Sequence, residues 1–105
     1  NYPKYAPFTH ARSSTIADGL VLEMPHPPVQ KAIAESGVAI HMVAEVDIQT
    51  ALRDLYVTQA LVVEPSSAIT LAFVKYAAKL EEPVCVILTG QNIAREDHAR
   101  LMAGA

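Results

Sequence analysis

Between Glu45 and Gln59 the apolar positions fall at Ile48, Ala51, Leu52, Leu55 and Tyr56. That is the i, i+3, i+4, i+7, i+8 stripe of a helix packed on one side. Glu45 and Asp47 stand in its first turn, where the helix dipole favours negative charge. Upstream, three prolines occur among Pro25, Pro27 and Pro28, so regular structure is expected only from Val29. The segment Val29–Ser36 then reads as a short helix closed by Gly37.

Three continuous apolar runs have a different character. Val38–Val43, with His41 as its interruption, and Val84–Leu88, entered through Pro83, read as strands buried on both faces. Leu61-Val62-Val63 is a shorter run stopped by Glu64-Pro65. After it, Ser66 or Ser67 can cap a helix reaching about Leu80. That segment is apolar nearly all round, which predicts a helix sandwiched inside the fold, with Lys75 and Lys79 as its wet edge. A last helix is expected from about Arg95 to Met102. Helix, strand, helix, short strand, helix, strand, helix is the order of an α/β fold with three layers and parallel strands. Residues 1–14 have no periodicity and read as an irregular lead-in to one domain over 15–105.

Composition narrows the classes. Apolar residues make up 51% of the 105 positions and charged residues 18%, the balance of a globular domain. Aromatic residues are 6% with no Trp, so the core must be built from Ala, Val, Leu and Ile. The net charge is −3, and the eight Lys and Arg residues form no stripe, which argues against a nucleic-acid partner. No apolar run approaches the roughly 20 residues of a membrane span, and no secretory signal pattern opens the chain. Together with the single Cys85, these features lead to an expectation of a cytoplasmic protein without a membrane partner. The opening at Asn1 rather than Met leads to the expectation of a piece of something longer.

In open α/β sheets ligands bind where strands feed helices. Two such loops are polar, Glu64-Pro65-Ser66-Ser67 and Thr89-Gly90-Gln91-Asn92. Glu64, Ser66, Thr89 and Asn92 are therefore the positional candidates, although Ser66 and Ser67 can be plain caps, and Thr89 and Asn92 plain turn residues.

At these residues a resemblance emerges. Thr15-Ile16-Ala17-Asp18-Gly19-Leu20 resembles the Thr-Ile-Ala-Asp-Gly segment of threonine dehydratases and serine racemases. Leu61-Val62-Val63-Glu64-Pro65-Ser66-Ser67-Ala68 is similar to that family's Val-Glu-Pro-Ala-Gly-Ala. Val86-Ile87-Leu88-Thr89-Gly90-Gln91-Asn92-Ile93 is similar to its Val-Leu-Ser-Gly-Gly-Asn-Ile. The spacings also match, and the resemblance covers residues 15 to 101.

It implies the C-terminal part of the large domain of a pyridoxal 5'-phosphate enzyme with the tryptophan-synthase-β-like fold. It implies that Thr89 meets the pyridine nitrogen, that Glu64 lies beside the same ring edge, and that Gly19 and Gly90 pass close to the ring. A neutral hydroxyl on that nitrogen leaves it unprotonated and the ring a weaker electron sink. Expulsion of a β-hydroxyl is then favoured over transamination. Thr at 89, Gln at 91 and the Pro-Ser-Ser-Ala after Glu64 depart from the dehydratase pattern and look more like threonine synthases. The first expectation is therefore β-elimination and deamination of a hydroxy amino acid; β,γ-replacement is the second.

The family's Schiff-base lysine and Gly-rich phosphate loop have no counterpart here. Lys4, Lys31, Lys75 and Lys79 are in the wrong context, and Gly19, Gly37, Gly90 and Gly104 do not cluster. No catalytic residue is assigned. A fragment inactive alone, part of a homo-oligomer when full length, is the expectation; a non-catalytic α/β module is the alternative from another class. His10, His26, His41 and His98 lack metal-ligand spacing, His41 reads as a buried, hydrogen-bonded ring, and Cys85 reads as core. Asp18 before Gly19 reads as a turn residue.

Overall fold

The computed structural model describes residues 15–21, 26–77 and 79–104. The predicted lead-in over 1–14, with Lys4 and His10, and the Met24-Pro25 pair lie outside the described residues. Among the described residues a 3-10 turn, Asp18–Leu20, precedes four α-helices: α1 Pro27–Ser36, α2 Glu45–Gln59, α3 Pro65–Ala72 and α4 Arg95–Met102. A π turn, Phe73–Ala77, continues α3.

Local chemistry accounts for these boundaries. α1 starts at Pro27, two residues before the expected Val29, because proline is tolerated in a first turn whose N–H groups have no intrahelical acceptor. It ends at Gly37, whose φ of 68° is the left-handed cap. α2 buries the predicted stripe of Ile48, Ala51, Leu52 and Leu55, while Tyr56 stays exposed. It closes on Ala60 at φ 55°, a left-handed residue that is not glycine. There Ala60 N–H donates to the Tyr56 carbonyl and Leu61 N–H to the Leu55 carbonyl.

The core forms where α2 crosses α3. Leu52, Leu55, Val63, Ala68 and Leu101 make one buried cluster, and Ala17, Ile48, Ala51 and Ala72 the other. Ile16 and Leu71 pack against both, so the two clusters are continuous. Ala51, Ala68 and Ala72 are fully buried, and their small side chains let the two helices approach closely. α4 joins through Leu101, with the Gln49 amide and the Arg53 guanidinium both donating to the Leu101 carbonyl at its C-terminal turn.

The three-layer α/β expectation is overturned. Among the described residues there is no strand and no sheet. The runs 38–43, 61–63 and 83–88 carry no regular secondary structure, and much of their apolar surface is open: Met42 is 87% exposed and Ile87 72%. A continuous apolar run disposes a segment toward strand, but a strand exists only when a neighbouring chain supplies the hydrogen-bond ladder. A backbone bond links the loops that follow two of these runs, from Glu64 N–H to the Gly90 carbonyl at 3.0 Å. Burial follows the same correction. Cys85 is exposed rather than core, and His41 is exposed, its ring tilted against Phe73 at 4.9 Å between centroids.

The helix expected to reach Leu80 is also corrected. Its α-helical part ends at Ala72, and Lys79 and Leu80 lie outside any helix. The widened turn sits where two consecutive residues, Lys75 and Tyr76, both bind the Asp54 carboxylate. Consecutive residues of an α-helix do not face the same partner. Nor is α3 sandwiched: Ala68 and Ala72 are buried, whereas Thr70 is exposed.

Candidate functional site

The three segments that carry the resemblance meet at the first turn of α3. Glu64 is its N-cap residue, in extended conformation, and no side chain caps the turn. The expectation that Ser66 or Ser67 caps the helix is thus corrected. Both serines lie inside it, and their hydroxyls turn outward to other loops. Ser66 Oγ accepts from Gly19 N–H at 3.0 Å. Ser67 Oγ accepts from Thr89 N–H at 2.9 Å.

The Glu64 carboxylate lies between the two glycines of the site. Its Oε1 accepts from Asn92 N–H at 3.3 Å. A Cβ added at Gly90 would fall on that oxygen, and one added at Gly19 would stand 3.5 Å from Oε2 and 2.8 Å from Ser66 Oγ. Glycine at 19 and 90 is therefore a spacing requirement: the carboxylate and the Ser66 hydroxyl occupy the side-chain space. Gly19, Glu64, Thr89 and Gly90 are brought together, with Asn92 contributing its backbone amide. Gly19 and Thr89 are exposed, and Glu64 and Gly90 are half-buried, so the cluster forms an open edge. Asp18 begins the 3-10 turn beside it, in keeping with a turn residue.

Ser66 and Ser67 are what sequence reasoning assigned incorrectly. Two hydroxyls directly after Glu-Pro signal a helix start, and only tertiary geometry shows that they serve loops 47 and 22 residues away.

A cavity of about 520 Å³ lies elsewhere, walled by His41, Val43, Cys85 and Ile87 over Ile69 and Phe73 of the α3 arm. None of Gly19, Glu64, Thr89 or Gly90 lines it. Its walls are almost wholly apolar, whereas the convergent polar groups sit at the α3 N-terminus.

Several other polar groups pair with one another. Lys75 Nζ and Tyr76 OH each donate to Asp54 Oδ2, at 2.8 and 2.7 Å. These two hydrogen bonds, Lys75's first, hold the Asp54 carboxyl below its usual range. The same carboxylate pushes Lys75 and Tyr76 above theirs. Lys31 pairs with Glu35 along α1, and Arg100 with Asp97 along α4. His98 is buried edge-on to Tyr56, with ring centroids 5.0 Å apart. Among the described residues no group of three or more His, Cys, Asp or Glu side chains could hold a metal, and no helix is long and apolar enough to cross a membrane.

Compared with protein-family models, with curated proteins and with solved structures, the chain shows no match.

Of the groups that bind a pyridine ring, the residues present include a hydroxyl and a carboxylate. Thr89 offers an exposed hydroxyl that makes no hydrogen bond among the described residues, while its backbone is held by Ser67. Gly19 and Gly90 leave room for the Glu64 carboxylate, which is fixed by a backbone amide. A phosphate cradle is not among them, since no glycine cluster exists in the chain.

Proposed function

We propose that this chain is part of a pyridoxal 5'-phosphate-dependent lyase resembling the threonine and serine dehydratases, and that it contributes the ring-nitrogen side of the cofactor site. The supporting observation is the convergence of Gly19, Glu64, Thr89 and Gly90, from three distant segments, on the first turn of α3.

In this reading the cofactor, when bound, supplies the electron sink that lets a hydroxy amino acid lose its β-hydroxyl and then its amino group as ammonia. Thr89 would present its hydroxyl to the ring nitrogen as a neutral donor, leaving that nitrogen unprotonated. Gly19 and Gly90 would leave room for the Glu64 carboxylate between their two loops. Glu64 would sit beside the ring edge, held by Asn92 N–H. The lysine that carries the cofactor and the groups that hold its phosphate would come from other parts of a longer, cytoplasmic, homo-oligomeric polypeptide. No catalytic residue is assigned within this chain.

The test is made on the native polypeptide that contains this sequence. Its intact mass, its pyridoxal phosphate content and its release of ammonia from L-serine and L-threonine are measured together. The expected result is a mass well above 11.3 kDa, bound cofactor and ammonia release. A native protein of 11.3 kDa that binds no cofactor and releases no ammonia would overturn the reading in favour of a non-catalytic module.

A further inference from the structure

We propose that Ser66 and Ser67 are a positioning pair that fixes, from a single turn of α3, the two loops between which the ring edge is read; this rests on the reading of the site given above. Neither residue touches the cofactor in this account. Each acts through a backbone amide that it holds.

The geometry separates their tasks. Consecutive residues of an α-helix point about 100° apart, so two neighbouring hydroxyls cannot serve one loop but can serve two. Ser66 Oγ takes Gly19 N–H, and Ser67 Oγ takes Thr89 N–H. The turn that carries them is anchored: Pro65, Ser67 and Ala68 are all buried, and Ala68 packs in the core against α2. A site held from a packed helix is more exact than one held by loops alone. Because Ser67 engages the amide of Thr89, the Thr89 hydroxyl stays free for a ligand. Because Ser66 engages the amide of Gly19, the 3-10 turn cannot drift from the Glu64 carboxylate, which lies between the two loops.

Ordinary caps would behave differently. Removing a capping hydroxyl loosens the helix's own first turn. Removing a positioning hydroxyl loosens the remote loop and leaves the helix intact.

The experiment uses the native polypeptide that contains this sequence, freed of cofactor, with the substitutions Ser66→Ala, Ser67→Ala and Ser66→Thr. Amide hydrogen exchange is followed by NMR without ligand. Pyridoxine, which carries the cofactor's ring without its aldehyde, is then titrated into each protein. One lost neutral hydrogen bond corresponds to roughly two- to tenfold in an equilibrium constant. Ser67→Ala is therefore expected to speed exchange at Thr89 by about fivefold, with Gly19 unchanged, and to weaken pyridoxine binding by a similar factor. Ser66→Ala is expected to speed exchange at Gly19 alone, and Ser66→Thr, which keeps the hydroxyl, to restore it. Acceleration in the first turn of α3 with Gly19 and Thr89 unchanged would overturn the pair in favour of plain caps. Loosened loops with unchanged pyridoxine affinity would overturn its role in positioning. An unsubstituted native polypeptide showing no pyridoxine-dependent shift would overturn the ring reading itself. That failure is told apart from the others because exchange is read before any ligand is added.

Discussion

The carboxylate of Glu64 occupies the space that a side chain at position 90 would need. The two residues are also tied through the backbone, with Glu64 N–H donating to the Gly90 carbonyl at 3.0 Å. Gly90→Ala must therefore drive the end of the Glu64 side chain away from Asn92 N–H. A flexible carboxylate can move, so the cost is that of the displaced hydrogen bond, about 1–2 kcal/mol. Glu64→Ala should remove the clash, making the double variant less destabilised than the sum of the singles. Urea denaturation of the four proteins closes this cycle; simple additivity would show that the carboxylate does not fill that space.

How far the sequence carried this site depends on which interactions were local. The stripe of α2 appears as expected because a period of 3.6 is a property of one segment. α4 also falls at its expected residues, Arg95–Met102. The runs around Ile40 and Val86 were misread for the opposite reason: their extended tendency is local, but pairing into a sheet requires partners that a single run does not specify. Ser67 was misread because Glu-Pro-Ser-Ser is a good helix start whether or not its hydroxyls are needed elsewhere. Gly90 could be singled out only by resemblance, since nothing local shows that Glu64 fills its side-chain space.

Ala60 gives a second prediction. Its φ of 55° places a Cβ in the left-handed region, at the residue that closes α2. Such a conformation costs a non-glycine residue roughly 1–2 kcal/mol. Glycine relieves that strain but loses more unfolded-state freedom, by about 0.5–1 kcal/mol. Ala60→Gly is expected to stabilise the protein by about 0.5–1 kcal/mol, read as a higher denaturation midpoint at unchanged slope. A lower midpoint would show that Ala60 is not held left-handed.

The Asp54, Lys75 and Tyr76 cluster sets a pH window. Asp54 is held below its ordinary 3.8, first by the Lys75 hydrogen bond and then by that of Tyr76. Its contribution is present above the unfolded value and is lost as pH falls through the lowered one. Lys75 is raised above 10.5 and Tyr76 above 10.0, both first through Asp54. Their contributions are complete below those unfolded values and are lost as pH rises through the raised ones. The cluster is partly exposed, with side-chain accessibilities of 43% for Lys75 and 32% for Asp54, so solvent screening keeps the ion pair small. Asp54→Asn should therefore lower the melting temperature slightly between about pH 5 and 9. The gap should shrink toward zero in strong acid and above the Lys75 range. A gap constant from acid to alkali would show that the lost interaction is not ionic.

Leu52 tests whether the buried face of α2 is the centre of the core. It is fully buried on α2 and belongs to the cluster that also holds Val63, Ala68 of α3 and Leu101 of α4. Truncation to Ala loses transfer energy and leaves a cavity that close-packed neighbours fill only in part. Such changes cost about 2–5 kcal/mol. Val57, on the opposite face of α2 and 73% exposed, is the control, and Val57→Ala should move stability by less than about 0.5 kcal/mol. A large part of a small domain's stability rests on such residues, since total stabilities run to only about 5–15 kcal/mol. Leu52→Ala is therefore expected to abolish or nearly abolish cooperative thermal unfolding near room temperature, while Val57→Ala leaves it intact. If the two substitutions had equal effects, the apolar face of α2 would not be the face that α3 and α4 cover, and the helical core would be wrong at its centre.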